Sequence, residues 1–179
     1  MRNIGTGLYR GSHIPVLLKL LPITNGPILE MGCGIFSTPI LYWYCYTNQR
    51  RLVTYENNIQ FYEWLTQISK NDNSFHERRY VEDWDKIDLN EQWSIAFVDH
   101  SPPERREVDV MRLTHADYVV LHDSDSEVIV DKSLRRYKRR SDIVAMHRKL
   151  YKYHYRYDDA WPNTLVMSNK WGLKDFMVR

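Results

Sequence analysis

Two acid–imidazole pairs stand out in the sequence: Asp99 with His100, closing the run "FVDH" (97–100), and His122 with Asp123, closing "DYVVLHD" (117–123). Imidazole titrates near neutral pH, so either histidine could take a proton from an acceptor. The two carboxylates could instead hold a hard divalent cation. A second constellation lies upstream, with Glu30, Gly32 and Gly34 in "ILEMGCG" and Glu56 a little over twenty residues beyond Gly34. Glycines at such a place let a ligand approach the main chain. An acid in the position of Glu56 can accept both ribose hydroxyls of a nucleoside cofactor. Ser37 stands where the dinucleotide fingerprint has its third glycine, which disfavours a pyrophosphate ligand.

These residues need elements that place them at one end of a sheet. "PILEMG" (27–32), "RLVTYE" (51–56), "FHERRYV" (75–81), "SIAFVD" (94–99) and "DYVVLHD" (117–123) read as strands, several apolar throughout, as in a sheet covered on both faces. Each ends in an acid or lies next to one. Helical text separates them. Thr38 with Pro39 forms an N-cap and first-turn pair before "ILYWYCY", and Asn58 can cap a helix carrying Ile59, Tyr62, Leu65 and Ile68. "SPPE" (101–104) reads as a capping box opening a helix to about Thr114. Alternating strands and helices predict a parallel α/β sheet. "LYKYHYRYD" (150–158) and "NTLVMSNK" (163–170) are joined by too few residues for a parallel crossover, so they should pair as an antiparallel hairpin at one edge.

The 179 residues suit one domain, spanning 1–179. With 43% hydrophobic and 27% charged residues, neither disorder nor a fibrous architecture is indicated, and a net charge of +2 demands no polyanionic partner. The apolar stretch "IPVLLKLLPI" is too short and too interrupted for a membrane span, and no signal peptide is read, so a cytoplasmic location is expected. Cys33 and Cys45 lack metal or redox spacing and are expected to be reduced and structural.

"ILEMGCG", with its acid two residues before the first glycine, resembles the E/D-x-G-x-G motif of class I S-adenosylmethionine-dependent methyltransferases. Glu56, "VEDW" (81–84) after the third strand and "FVDH" after the fourth strengthen the resemblance, which runs from about Ile14 through the C-terminal hairpin. "EMGCGIFSTPIL", "FVDHSPPERR" and "ADYVVLHDSD" look most like small-molecule and sugar O-methyltransferases. The resemblance implies a Rossmann-like α/β sandwich whose mostly parallel seven-stranded sheet ends in an antiparallel hairpin. It also implies S-adenosylmethionine as cofactor and a hydroxyl of a small molecule, sugar or glycan as acceptor. By position, Glu30 and the Gly32–Gly34 loop would hold the methionine part, Glu56 the ribose, Asp83 and Trp84 the adenine, and Asp99 the region of the methionine amino group and the methyl.

Methyl transfer to a hydroxyl needs a base or a cation, since the hydroxyl pKa lies far above seven. Asp99, His100, His122 and Asp123 are expected to converge where the fourth and fifth strands end. Some related O-methyltransferases hold magnesium there, and Asp99 with Asp123 match those positions, although Ser124 stands where the catechol-type pattern has asparagine. Without a metal, His100 or His122 becomes the base. His13 in "GSHIP", just before the first helix, joins His122 as a candidate contact to the substrate.

Other features have plainer readings. "DHSPPERR" departs from the D-P-P-Y motif of amino-methylating DNA enzymes, and its prolines fit a capping box. "RRYKRR" (135–140) reads as a solvated helix face, so nucleic acid is not an expected partner. The alternating tyrosines of "YKYHYRY" suit packing at a sheet edge. The rival readings are an NAD-dependent oxidoreductase, which shares the parallel sheet and ribose acid, and a non-catalytic cofactor-binding partner subunit.

Overall fold

A computed structural model describes residues 11–68, 74–124, 129–131, 136–138, 149–174 and 176–177. In chain order, helix α1 (Ile14–Leu20) precedes strand β1 (Ile28–Met31), followed by α2 (Ser37–Thr47), β2 (Leu52–Glu56), α3 (Ile59–Ile68) and β3 (His76–Tyr80). Then come β4 (Ile95–Val98), α4 (Arg106–Arg112), β5 (Tyr118–Leu121), β6 (Ile129–Asp131), β7 (Arg136–Lys138), β8 (Tyr153–Tyr157) and β9 (Thr164–Ser168). Seven strands form one sheet in the order β3-β2-β1-β4-β5-β9-β8. The pairs from β3 through β5 are parallel, and β9 runs antiparallel to both β5 and β8. All five predicted parallel strands and the closing hairpin therefore form.

The sheet is covered on both faces. Because successive side chains alternate sides, Leu29, Met31, Val53, Ala96, Val98 and Val119 build one core layer with Val110, Leu113 and Trp84. Ile28, Leu52, Ile95, Phe97 and Val120 build the other with Leu17, Leu20 and Leu41 of α1 and α2. Each such side chain contributes roughly 1.5–3 kcal/mol on burial. Tyr153, Tyr155 and Tyr157 of β8 pack against this second layer, which accounts for their alternation. Cys33 and Cys45 are free and buried.

Three local expectations need correction. Helix α2 begins at Ser37, with Phe36 at the cap and no side-chain capping bond, because the Thr38 hydroxyl is turned inward to a buried acid. "SPPE" makes no capping box: a short 3-10 turn, Pro103–Arg105, precedes α4, again without a side-chain cap. Within "RRYKRR", Arg136–Lys138 is a strand paired antiparallel with β6, not part of a helix, while positions 135 and 139–140 lie outside the described residues. The Asn58 cap forms as read, its side-chain oxygen accepting the N–H groups of Gln60 and Phe61. Among the described residues no helix is long and apolar enough to cross a membrane.

Candidate functional site

The sheet order reverses between β1 and β4, whose carboxyl ends lie side by side. In open α/β sheets the ligand crevice forms at such a switch point. The loop after β1 enters it through Gly32, whose φ of +90° few side chains tolerate. A Cβ on Gly32 would lie 2.6 Å from His100 Cα and 2.7 Å from His100 N, so what approaches this glycine is the chain's own backbone after β4. Gly34 differs. Its φ is not in the left-handed region, and a Cβ there would meet only Ser37 Oγ, at 4.0 Å. Nothing in the fold itself requires glycine at 34, and the space beside it is available to a ligand.

Glu30 lies on the β1 face toward the second core layer with no exposed surface. Ser37 Oγ and Thr38 Oγ1 donate to one of its oxygens at 2.7 and 2.9 Å, and Thr54 Oγ1 donates to the other at 2.9 Å. Burial pushes its pKa up to about 7 despite these donors. Glu30 therefore reaches the glycine loop through Thr38, whose hydroxyl also accepts the Gly34 N–H at 2.9 Å.

Glu56 closes β2 beside the same loop. Its carboxylate accepts the Cys33 N–H at 2.8 Å and the Asn58 N–H at 2.6 Å, one on each oxygen. A carboxylate oxygen has two lone pairs, so each retains one for a further donor.

At the ends of β4 and β5 the structure gathers Asp99, His122 and Asp123 around a residue the sequence reading missed, Arg106. Arg106 Nη1 lies 3.0 Å from Asp99 Oδ1 and 2.9 Å from Asp123 Oδ2. The same guanidinium donates to the carbonyls of His100 (2.6 Å) and Asp99 (3.0 Å). His122 Nδ1 is 3.1 Å from Asp99 Oδ1. Asp99 is held below the usual carboxylate range: burial opposes this, while the contact from His122 and the charge of Arg106 outweigh it. Asp123, at φ +53°, occupies a left-handed conformation that Asp tolerates better than most residues. His13 joins from the cap of α1, with ring centroids 4.5 Å from His122 and 4.7 Å from Phe97.

A magnesium ion shared by Asp99 and Asp123 does not fit this geometry. Magnesium needs near-octahedral oxygen ligands and keeps several waters. Here the Arg106 guanidinium already occupies the place between the two carboxylates that a shared ion would need. Of the ways to relieve two neighbouring acids, the protein uses a basic partner. The signal was present in "PERRE" directly after the fourth strand, since two adjacent acids imply a nearby cation and Arg106 was within reach.

His100 does not converge with the other three, which corrects its expected role as base. Its Nε2 lies 3.1 Å from Asp109 Oδ2, both side chains fully buried, and its ring stacks on Trp84 at 4.0 Å. Asp109 is further held by Arg105 and Arg112, at 3.1 and 2.8 Å. The reason is strand alternation: His100 continues the Val98 face and Asp99 the Phe97 face. Trp84 is itself buried and donates from Nε1 to the Ser101 carbonyl at 3.0 Å. Asp83 sits half-buried just beyond β3, where its side chain caps the following turn by accepting from Asp85 N.

No protein-family model matches the chain, and no curated protein matches it in sequence. Solved structures resemble it in fold. The PH0226 protein from Pyrococcus horikoshii OT3 matches with TM-score 0.57 at 15% identity over 94% of both chains. A methyltransferase from Pyrococcus furiosus matches with TM-score 0.54 at 16% identity, over 88% of this chain and 83% of that one. The N-terminal domain of human METTL16 in complex with SAH matches with TM-score 0.57 at 12% identity, over 93% of this chain and 72% of that one. The fold is thus the Rossmann-like fold of the methyltransferases, an α/β sandwich with a mostly parallel seven-stranded sheet and an antiparallel C-terminal hairpin.

Proposed function

We propose that this protein is an S-adenosylmethionine-dependent methyltransferase acting on a hydroxyl of a small molecule or sugar. The observation that carries the reading is Gly34: a glycine without conformational need, at the switch point of a methyltransferase fold, with open space where its Cβ would be. S-adenosylmethionine supplies a methyl group made electrophilic by its sulfonium.

The chain's own residues divide the work of binding and orienting. The Gly32–Gly34 loop takes the methionine part, held in shape by Glu30 through Thr38. Glu56 offers its remaining lone pairs to the ribose hydroxyls, the strongest type of neutral-donor bond because the acceptor is charged. Asp83 lies where the adenine amino group is expected, and Trp84 with His100 forms the wall behind it. Asp99 fixes the methionine amino group. Arg106 bridges Asp99 and Asp123 in this crevice, and Asp99 with His122 acts as the unit that receives the acceptor's proton.

The reading is supported by the SAH complex of a protein with the same fold and by the set of acids at the strand ends. Its test is transfer of labelled methyl from S-adenosylmethionine to a panel of sugar and phenolic hydroxyls. Labelled product that disappears in Asp99→Asn is expected. No transfer to any hydroxyl, with transfer to an amine panel instead, would overturn the O-methylation.

A further inference from the structure

The cluster beneath the crevice holds more nitrogen than a proton-accepting pair requires. His13 is 2% exposed and, among the described residues, neither ring nitrogen has a hydrogen-bond partner. Two unpaired polar atoms in a buried ring cost free energy that a native site normally recovers. His122 is poised in a defined tautomer. Ser12 Oγ donates its one proton to the Pro162 carbonyl, so at 3.0 Å it accepts from His122 Nε2–H. In a ring that donates from Nε2 and is neutral, Nδ1 carries the lone pair and faces Asp99. Nδ1 and Asp99 Oδ1 are 3.1 Å apart, and Nδ1 has no aligned hydrogen-bond partner among the described residues.

We infer that His13, Asp99 and His122 form a binding site for a divalent transition-metal ion of the zinc type. One donor atom from each of the three lies within 4.8 Å of the others. Donors bound to zinc at about 2.0–2.1 Å lie roughly 3.4 Å apart in a tetrahedron, so the Asp99–His122 spacing already suits a shared ion. Two imidazoles and one carboxylate suit zinc, whereas magnesium takes oxygen ligands. Arg106 Nη1 already bonds Asp99 Oδ1 at 3.0 Å, so Asp99 offers the ion its remaining lone pairs, and two carboxylates, Asp99 and Asp123, against one guanidinium leave one net negative charge for the cation to meet. The Ser12 hydroxyl on Nε2 is the outer partner that orients a ligating histidine. Three protein ligands leave a fourth position, on the side of the partly exposed Asp99, and would tie the start of α1 to the ends of β4 and β5.

The inference does not depend on the methyltransferase reading: an ion held by Asp99 and His122 would replace the proton-accepting pair, activating a hydroxyl by polarising it, and the test uses no cofactor. The full-length protein, stripped with a chelator, is titrated with Zn²⁺ by calorimetry and with Co²⁺ by visible absorption. Uptake of one equivalent is expected, with cobalt bands of the intensity of a four-coordinate site. His13→Gln and His122→Gln should each weaken Zn²⁺ binding at least tenfold, while His13→Cys, which keeps a zinc donor, should retain it. His115→Gln and His154→Gln, remote from the cluster, should bind like the parent. Absence of one-to-one uptake by the parent, or equal binding by His13→Gln, would overturn the site.

Discussion

The carboxylate of Glu56 accepts the backbone N–H of Cys33 at 2.8 Å, tying the end of β2 to the glycine loop that follows β1. One acid therefore shapes the loop and faces the proposed ribose. The two roles separate by substitution. Glu56→Ala leaves the N–H groups of Cys33 and Asn58 without a partner, a cost of about 1–3 kcal/mol each, so its melting temperature should fall even without ligand. Glu56→Gln keeps an acceptor for one of the two N–H groups, turns an amide donor toward the other, and loses the charge. It should melt closer to the parent and bind SAH at least tenfold more weakly, as measured by calorimetry. Parent-like SAH affinity in Glu56→Gln would remove the ribose role.

The two glycines of the loop should respond oppositely. Gly32→Ala forces a side chain into a left-handed residue and against the backbone of His100, so it should unfold the protein or lower its melting temperature severely. Gly34→Ala meets nothing nearer than 4.0 Å and should melt like the parent, yet lose at least tenfold in affinity for SAH. Unchanged binding in Gly34→Ala would show that the space beside it is ordinary solvent.

Arg106 is buried against two acids and three carbonyls. Arg106→Met leaves Asp99 and Asp123 without their cation, and breaking one side of a buried pair costs about 3–5 kcal/mol. At roughly 2–4 °C per kcal/mol for a chain of this size, the melting temperature should fall by about 10 °C. Arg106→Lys restores charge but not the fork, and should recover only part of the loss in the same thermal scan.

Glu30 gives a pH signature with a definite sign. Its pKa is raised from 4.5 in the unfolded chain to about 7 when folded, mainly by burial. The folded state thus binds the proton more tightly, so this contribution is complete below pH 4.5 and is lost as pH rises through about 7. The stability difference between parent and Glu30→Gln should shrink by roughly 3 kcal/mol from pH 4.5 to pH 8 in urea denaturation. A difference that stays constant over that range would show that Glu30 ionises freely in the fold.

The sheet was legible because apolar strands ending in acids and separated by helical segments admit few other arrangements, and Ile28–Met31 through Tyr118–Leu121 all formed where read. The crevice was less so. Asp99 and His100 are adjacent in sequence, but strand alternation sends them to opposite core layers, a consequence that a list of strand-end residues conceals. Thr38 reads as a cap by residue type, yet the buried carboxylate of Glu30 needs donors more than the helix end does. Arg106 belongs to a helix that supplies no strand-end residue, so only the charge balance of the two acids pointed to it. Gly32 and Gly34 look equivalent in "GCG"; the backbone of His100 separates their roles.

The account rests on an adenosyl cofactor bound beside Gly34, and the most direct measurement is a pair of calorimetric titrations of the wild-type protein, one with SAH and one with NAD. SAH should bind in the micromolar range, about −8 kcal/mol, with no detectable heat from NAD. Binding of NAD with equal or greater affinity, or no binding of SAH at all, would contradict it.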